Sequence, residues 1–194
     1  MAAFSCSKGC AKPAPAAADS GCKTEVLTAV HTSVAPKLDG EGDEKAWLEA
    51  KPTRAFSSAN GGPGRPHAEV RASWDDSALY LLFYAGDEDL EEDDSMGAAL
   101  VGANGKTVQF TVSPKGTLNG AKAIQAAVDA DGSMADAGDD DEEWLVEVAV
   151  PWALMGKTDE VHARFTRHDR PKGSKDVQLT WPEPCGFGEI RLSP

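Results

Sequence analysis

The chain has 194 residues, 41% of them hydrophobic and five of them Trp. That is enough for one domain with a real core, too little for two ordinary ones, and too apolar for a disordered tail. With 19 Lys and Arg against 32 Asp and Glu, the net charge of −13 disfavours a nucleic-acid partner, which needs clustered cations. No run approaches the roughly 18 apolar residues of a membrane-spanning helix.

In chain order, residues 1–23 come first. Ala, Pro, Gly, Ser and Cys dominate, no apolar period is present, and a flexible tether is expected. Cys6, Cys10 and Cys22 crowd this segment, while Cys185 stands alone near the C-terminus. Four cysteines allow three pairings, and spacing does not choose among them. A zinc site from Cys6, Cys10, Cys22 and His31 is conceivable, but C-x3-C with a loose third Cys matches the usual spacings poorly. C-x-x-C-H is absent, which argues against covalently attached haem. Ala3-Phe4-Ser5-Cys6 loosely resembles the end of a bacterial lipoprotein signal, with Cys6 as the lipid carrier.

From Thr24 the dominant period is two. Glu25 to Val34 alternates, with Val26, Val30 and Val34 read as its apolar face. A short helix is expected over Asp43 to Ala50 with Asp43 as N-cap, after a tight turn at Asp39-Gly40. Ala68 to Trp74 sets Val70, Ala72 and Trp74 against Glu69, Arg71 and Ser73. Asp75-Asp76-Ser77 is turn chemistry, and Leu79 to Ala85 is apolar on both faces, as a central strand would be. Thr107 to Ser113 is β-branched, and Trp144 to Val150 alternates cleanly. A helical turn is expected after Pro151. Val161–Thr166, Val177–Trp181 and Glu189–Leu192 complete the set. Short strands divided by Gly, Pro and Asp turns predict an all-β antiparallel sandwich of about eight to ten strands, spanning 24–194. Its core is expected to include Val70, Ala72, Leu79, Leu81, Phe83, Val108, Phe110, Val146, Val148 and Val150.

Two acidic runs carry the net charge. Asp87 to Asp94 holds seven acids in eight residues, and Asp139 to Glu143 holds five in five. Without them the chain has 19 basic and 20 acidic residues. Such runs read either as solvated loops or as a hard-cation site of carboxylate and carbonyl oxygens, though neither has EF-hand spacing. The basic counterpart is the stretch HARFTRHDR, where Arg164, Arg167 and His168 either line an anionic or hydroxyl-rich ligand or form salt bridges to the acidic loops. G-x-S-x-G, H-E-x-x-H, the Walker loop and the dinucleotide fingerprint are all absent, so an enzyme is not expected.

Five motifs in order carry a resemblance. LDGEGDEKAWLEA (38–50) is followed by AEVRASWDDSALYLLFYAGDEDL (68–90), VQFTVSPKGTL (108–118), EEWLVEVAVPWALMG (142–156) and LTWPEPCGFGEIRL (179–192). This series resembles the family 9 carbohydrate-binding modules and the wider group of DOMON-like sandwiches. The resemblance implies a non-catalytic, extracytoplasmic module that binds a carbohydrate or cell-surface glycan. It also implies two Trp rings that sandwich a terminal sugar. Here LEEDDSMGAALVG (90–102) has no aromatic, the expected Glu falls at Gly97, and the expected Arg falls near Thr111. The insertion that would hold the second Trp is missing, because Trp181 and Phe187 lie close together.

Structural Ca²⁺ is common in the family, and Asp87 matches the Asp that closes the equivalent strand. Asp87, Asp89 and Asp93 are therefore the expected calcium ligands. Some DOMON-like relatives hold a b-type haem through side chains such as Met, His or Lys. The alternative reading is then an electron-transfer module with Met96 as ligand and Met134 or Met155 behind it. A surface adaptor without a small ligand is the third reading.

Overall fold

The computed structural model describes residues 24–87, 89–131, 143–171, 174–183 and 186–194. The strands are β1 (Val26–His31), β2 (Ser57–Ser58), β3 (Ala68–Trp74), β4 (Ala78–Gly86), β5 (Ser95–Val101) and β6 (Thr107–Val112). They continue with β7 (Leu118–Asn119), β8 (Gln125–Ala130), β9 (Glu143–Pro151), β10 (Glu160–Asp169), β11 (Val177–Trp181) and β12 (Gly188–Leu192). Two short helices are present among the described residues, α1 (Lys45–Glu49) and α2 (Trp152–Met155). The tether, the run Asp139 to Glu142, Met134 and Cys185 lie outside the described residues, as do Cys6, Cys10 and Cys22.

All strands belong to one hydrogen-bonded path, β7-β6-β5-β10-β12-β1-β3-β4-β9-β8, with β11 and β2 branching from β10. The path does not lie flat. Six strand steps separate β4 from β6, about 29 Å at ordinary strand spacing. Yet the Phe83 and Phe110 rings of these two strands are 6.2 Å apart, and Phe83 is 5.6 Å from Phe165 on β10. The sheet therefore folds over on itself as a sandwich, with one apolar core between its halves.

Alternation fills that core. Every one of the ten residues expected there is at most 8% exposed. β4 is buried on both faces, as its doubly apolar run requires. Leu79, Leu81, Phe83 and Ala85 enter the main core, whereas Tyr80 and Leu82 pack outward with Trp47, Ala78 and Ala149 in a smaller cluster under α1.

Several expectations need correction. The sandwich is mixed, since β1 runs parallel to both of its neighbours, β12 and β3. Parallel neighbours need long crossovers, and the link from β1 to β3 carries α1 and β2. The inward face of β1 is Leu27 and Ala29, while Val26 and Val34 are 43% and 75% exposed. Three valines at intervals of four share a face in either frame, so spacing alone did not set the side. Helix α1 starts later than expected, with Glu44 at its N-cap and no side-chain cap. β5 and β8, rich in Ala and Gly, carry little intrinsic strand signal and are recruited by their neighbours.

Candidate functional site

Strand β10 divides the basic candidates. Val161, Ala163, Phe165, Arg167 and Asp169 point inward and are buried, while His162, Arg164, Thr166 and His168 lie on the outer face. Arg164 and Arg167 are three residues apart and so fall on opposite sides of the sheet. Arg167, Arg164 and His168 do not form one site.

Arg167 is fully buried. Its Nη1 donates to the carbonyls of His67 at 2.9 Å and Gly86 at 2.6 Å. Its Nη2 donates to Asp87 Oδ2 at 2.8 Å and to Asp169 Oδ1 at 3.0 Å. Asp94 joins this group, and the carboxylates of Asp87, Asp94 and Asp169 offer oxygens within 4.8 Å of one another. Burial pushes Asp87 above its ordinary value against the pull of Arg167. Burial likewise pushes Asp94 up to about 6, although the backbone N–H groups of Glu91 and Arg170 donate to it. Arg167 thus ties β10 to the ends of β3 and β4. A cleft of about 740 Å³ opens over this knot, lined in part by Arg65, His67, Asp87 and Asp169.

The expected calcium trio is not gathered. Asp93 turns outward, its side chain 76% exposed, and accepts from Arg170 Nη1 at 2.9 Å. Asp94 takes the inner position instead. Among the described residues, the guanidinium of Arg167 already pairs with two of these carboxylates, Asp87 and Asp169, which a divalent ion would need. The residues present do not fit calcium there. Met96, the candidate haem ligand, is 1% exposed and belongs to the apolar core, as does Met155.

The outer face of β6, β5 and β10 is different. A single cross-strand row runs Asn119, Thr111, Gly97, Thr166, Thr180 and Ser57 over β7, β6, β5, β10, β11 and β2. A neighbouring row holds Gln109, Ala99 and Arg164. Between the rows lies an open trough of about 360 Å³, lined by Ala99, Gln109, Thr111, Asn119, Arg164 and Thr166 with parts of Ala98 and Phe110. Gly97 is the floor of the longer row. A Cβ there would lie 2.9 Å from the Phe110 carbonyl, 3.0 Å from Thr111 Cγ2 and 3.1 Å from Thr166 Oγ1. The glycine lets the two threonines close over it, leaving hydroxyls and amides at strand spacing along a shallow channel.

His168 lies at the end of the same face, with its Nε2 3.5 Å from Asp176 Oδ2. The β10–β12 ladder closes with Ala163 opposite Gly188, one residue short of Arg164 on one strand and of Phe187 on the other. Phe187 is 43% exposed. In the sequence it opens the F-G pair that leads into β12 and matches no stacking position.

The architecture can now be set beside known structures. One is a family 9 carbohydrate-binding module from Caldicellulosiruptor kristjanssonii in complex with glucose. It superposes with a TM-score of 0.62 at 15% identity, covering 87% of this chain and 96% of that one. The fold is that of the family 9 carbohydrate-binding modules. A second structure, of a family 9 module from the same organism in complex with cellotriose, gives a TM-score of 0.57 at 16% identity, covering 87% and 94%. No protein-family model matches the sequence, and no curated protein matches it. Both neighbours are family 9 modules, and the DOMON-like part of the resemblance gains no support from them.

Within this family 9 fold, the position that the resemblance assigned to a Glu is the glycine floor, and that assigned to an Arg is Thr111 in the same row. Arg164 supplies a cation from the adjacent row. Among the described residues no helix is long and apolar enough to cross a membrane.

Proposed function

We propose that the protein is a non-catalytic module that holds a glycan in the trough across β6, β5 and β10. One observation carries this reading. On the outer face of that half-sheet the exposed Thr111, Gln109 and Asn119 and the half-buried Thr166 stand around a buried glycine, in a trough lined by no carboxylate. Sugar hydroxyls are met by such donors and acceptors at hydrogen-bond spacing. The family 9 fold, whose two solved neighbours hold glucose and cellotriose, supports the same ligand class. A glycan ligand goes with an extracytoplasmic location, which is part of this proposal.

Isothermal titration with oligosaccharides of two to six sugars tests it. Saturable binding is expected. Thr111→Val with Asn119→Ala removes two exposed trough groups, and about a tenfold loss follows from deleting hydrogen bonds worth roughly 0.5–1.5 kcal/mol each. Binding unchanged in that variant would move the site elsewhere.

A further inference from the structure

Six of the seven arginines of this acidic chain invite a simple comparison with the one in the trough. Arg54 pairs with Glu25 and Glu183, Arg71 with Glu69, Arg167 with Asp87 and Asp169, Arg170 with Asp93, and Arg191 with Glu189. Arg65 is exposed and pairs with no carboxylate among the described residues. Arg164 is half-buried on the trough wall and has no hydrogen-bond or ion-pair partner among the described residues. Acids are close by, but they are engaged elsewhere. At the Asn119 end of the trough, Glu92 is held by Lys115, Asp93 by Arg170, and Asp94 is turned inward to two backbone N–H groups. A half-buried guanidinium with no partner among the described residues has donors to offer an anion from outside.

We propose that the trough selects an acidic glycan, with Arg164 pairing the carboxylate of a uronic acid while Thr111, Gln109 and Asn119 meet its hydroxyls. The planar fork of arginine fits a carboxylate in two parallel hydrogen bonds, and a sulfate ester offers similar oxygens. The overall charge of −13 does not forbid this. Exposed charges more than about 8 Å away are screened at physiological salt. This inference rests on the glycan-binding reading of the same trough.

Titration of the intact protein and of Arg164→Gln with oligogalacturonate, a sulfated galactan oligosaccharide, cellohexaose and poly-glutamate tests it. The wild type is expected to bind oligogalacturonate at least tenfold more tightly than cellohexaose. Arg164→Gln should lose about tenfold or more on oligogalacturonate alone, as removal of a charge-assisted pair implies. Arg164→Lys keeps the charge, loses the fork, and should fall between. Tighter binding of the sulfated chain, abolished in Arg164→Gln, would keep the anion site and change its source to sulfate.

Equal binding of poly-glutamate would show mere attraction of polyanions and overturn the proposal. Binding of cellohexaose but not of acidic chains would overturn it and leave the glycan-binding reading intact. An Arg164→Gln protein that binds oligogalacturonate like the wild type would also overturn it. No binding to any glycan would remove both readings together.

Discussion

The two outer faces of the sandwich are built from similar strands and treated in opposite ways. Over β4 and β9 the outward residues are Tyr80, Leu82 and Ala149, and helix α1 lies across them with Trp47 fully buried. Glu147, a charged group on that face, is also fully buried and accepts three hydrogen bonds. Trp47 Nε1 donates to it at 2.7 Å, and the backbone N–H groups of Asp39 and Gly40 donate at 2.9 and 2.8 Å. Over β5, β6 and β10 the outward residues are Gly, Ala, Thr, Gln and Arg, no helix covers them, and Arg164 pairs with nothing among the described residues. Apolar outward positions call for a cover, and buried polar groups beneath a cover must be satisfied. A polar, uncovered face with spare donors is free to meet a ligand.

That contrast predicts that polar groups inside the molecule hold the fold together, while those in the trough do not. Arg167→Met should have the largest effect. It leaves Asp87 and Asp169 buried without their cation, and breaking such a pair costs about 3–5 kcal/mol. Urea unfolding should show this loss, whereas Arg164→Met, on the open face of the same strand, should stay within about 0.5 kcal/mol. Equal costs for the two would erase the distinction between the faces.

Glu147→Ala comes next. It strands the Trp47 indole and two backbone N–H groups under α1, a loss of about 2–4 kcal/mol from unsatisfied buried donors. A change below about 0.5 kcal/mol would mean that the cover is held by apolar contacts alone.

Asp94 gives a smaller, pH-dependent effect. Its folded pKa of about 6 lies above the ordinary 3.8, so the folded state takes up the proton first as pH falls. Stability from this group is therefore greatest below about 3.8 and declines as pH rises through about 6. Asp94→Asn removes the titration but gives one of its two N–H donors a poor partner. The variant's deficit relative to wild type should be larger at pH 4 than at pH 7, and a pH-independent deficit would contradict the assignment.

Calcium should do least. With Arg167 already between Asp87 and Asp169, melts in EDTA and in millimolar calcium at matched ionic strength should have the same midpoint. A midpoint raised by calcium would return the acidic loop to the list of cation sites.

Much of the frame was readable from residues. The doubly apolar stretch of β4 and the alternation of β9 place the core correctly, because each strand buries a face determined by its own period. The order of motifs led to the family 9 fold. Pairing between distant strands was not readable. The row from Asn119 to Ser57 joins six strands whose mutual register depends on tertiary contacts, and no local pattern marks it. The parallel setting of β1 was hidden for the same reason. The separation of Arg164 from Arg167 was available, since residues three apart on a strand face opposite ways. Grouping them by charge alone overlooked it. Asp94 rather than Asp93 enters the buried knot because the loop turns at Glu91, where the backbone N–H donates to Asp94 Oδ2 at 2.8 Å.

The most direct test of the bare face as the ligand face is a backbone amide map of the 20.4 kDa protein, recorded by NMR during titration with the tightest-binding oligosaccharide. Saturable shifts are expected along β5, β6 and β10, centred on Gly97, Thr111 and Arg164, with the amides of β3, β4 and β9 unmoved. Shifts concentrated around α1 and β9, or in the cleft between His67 and Asp169, with the trough silent, would contradict the account.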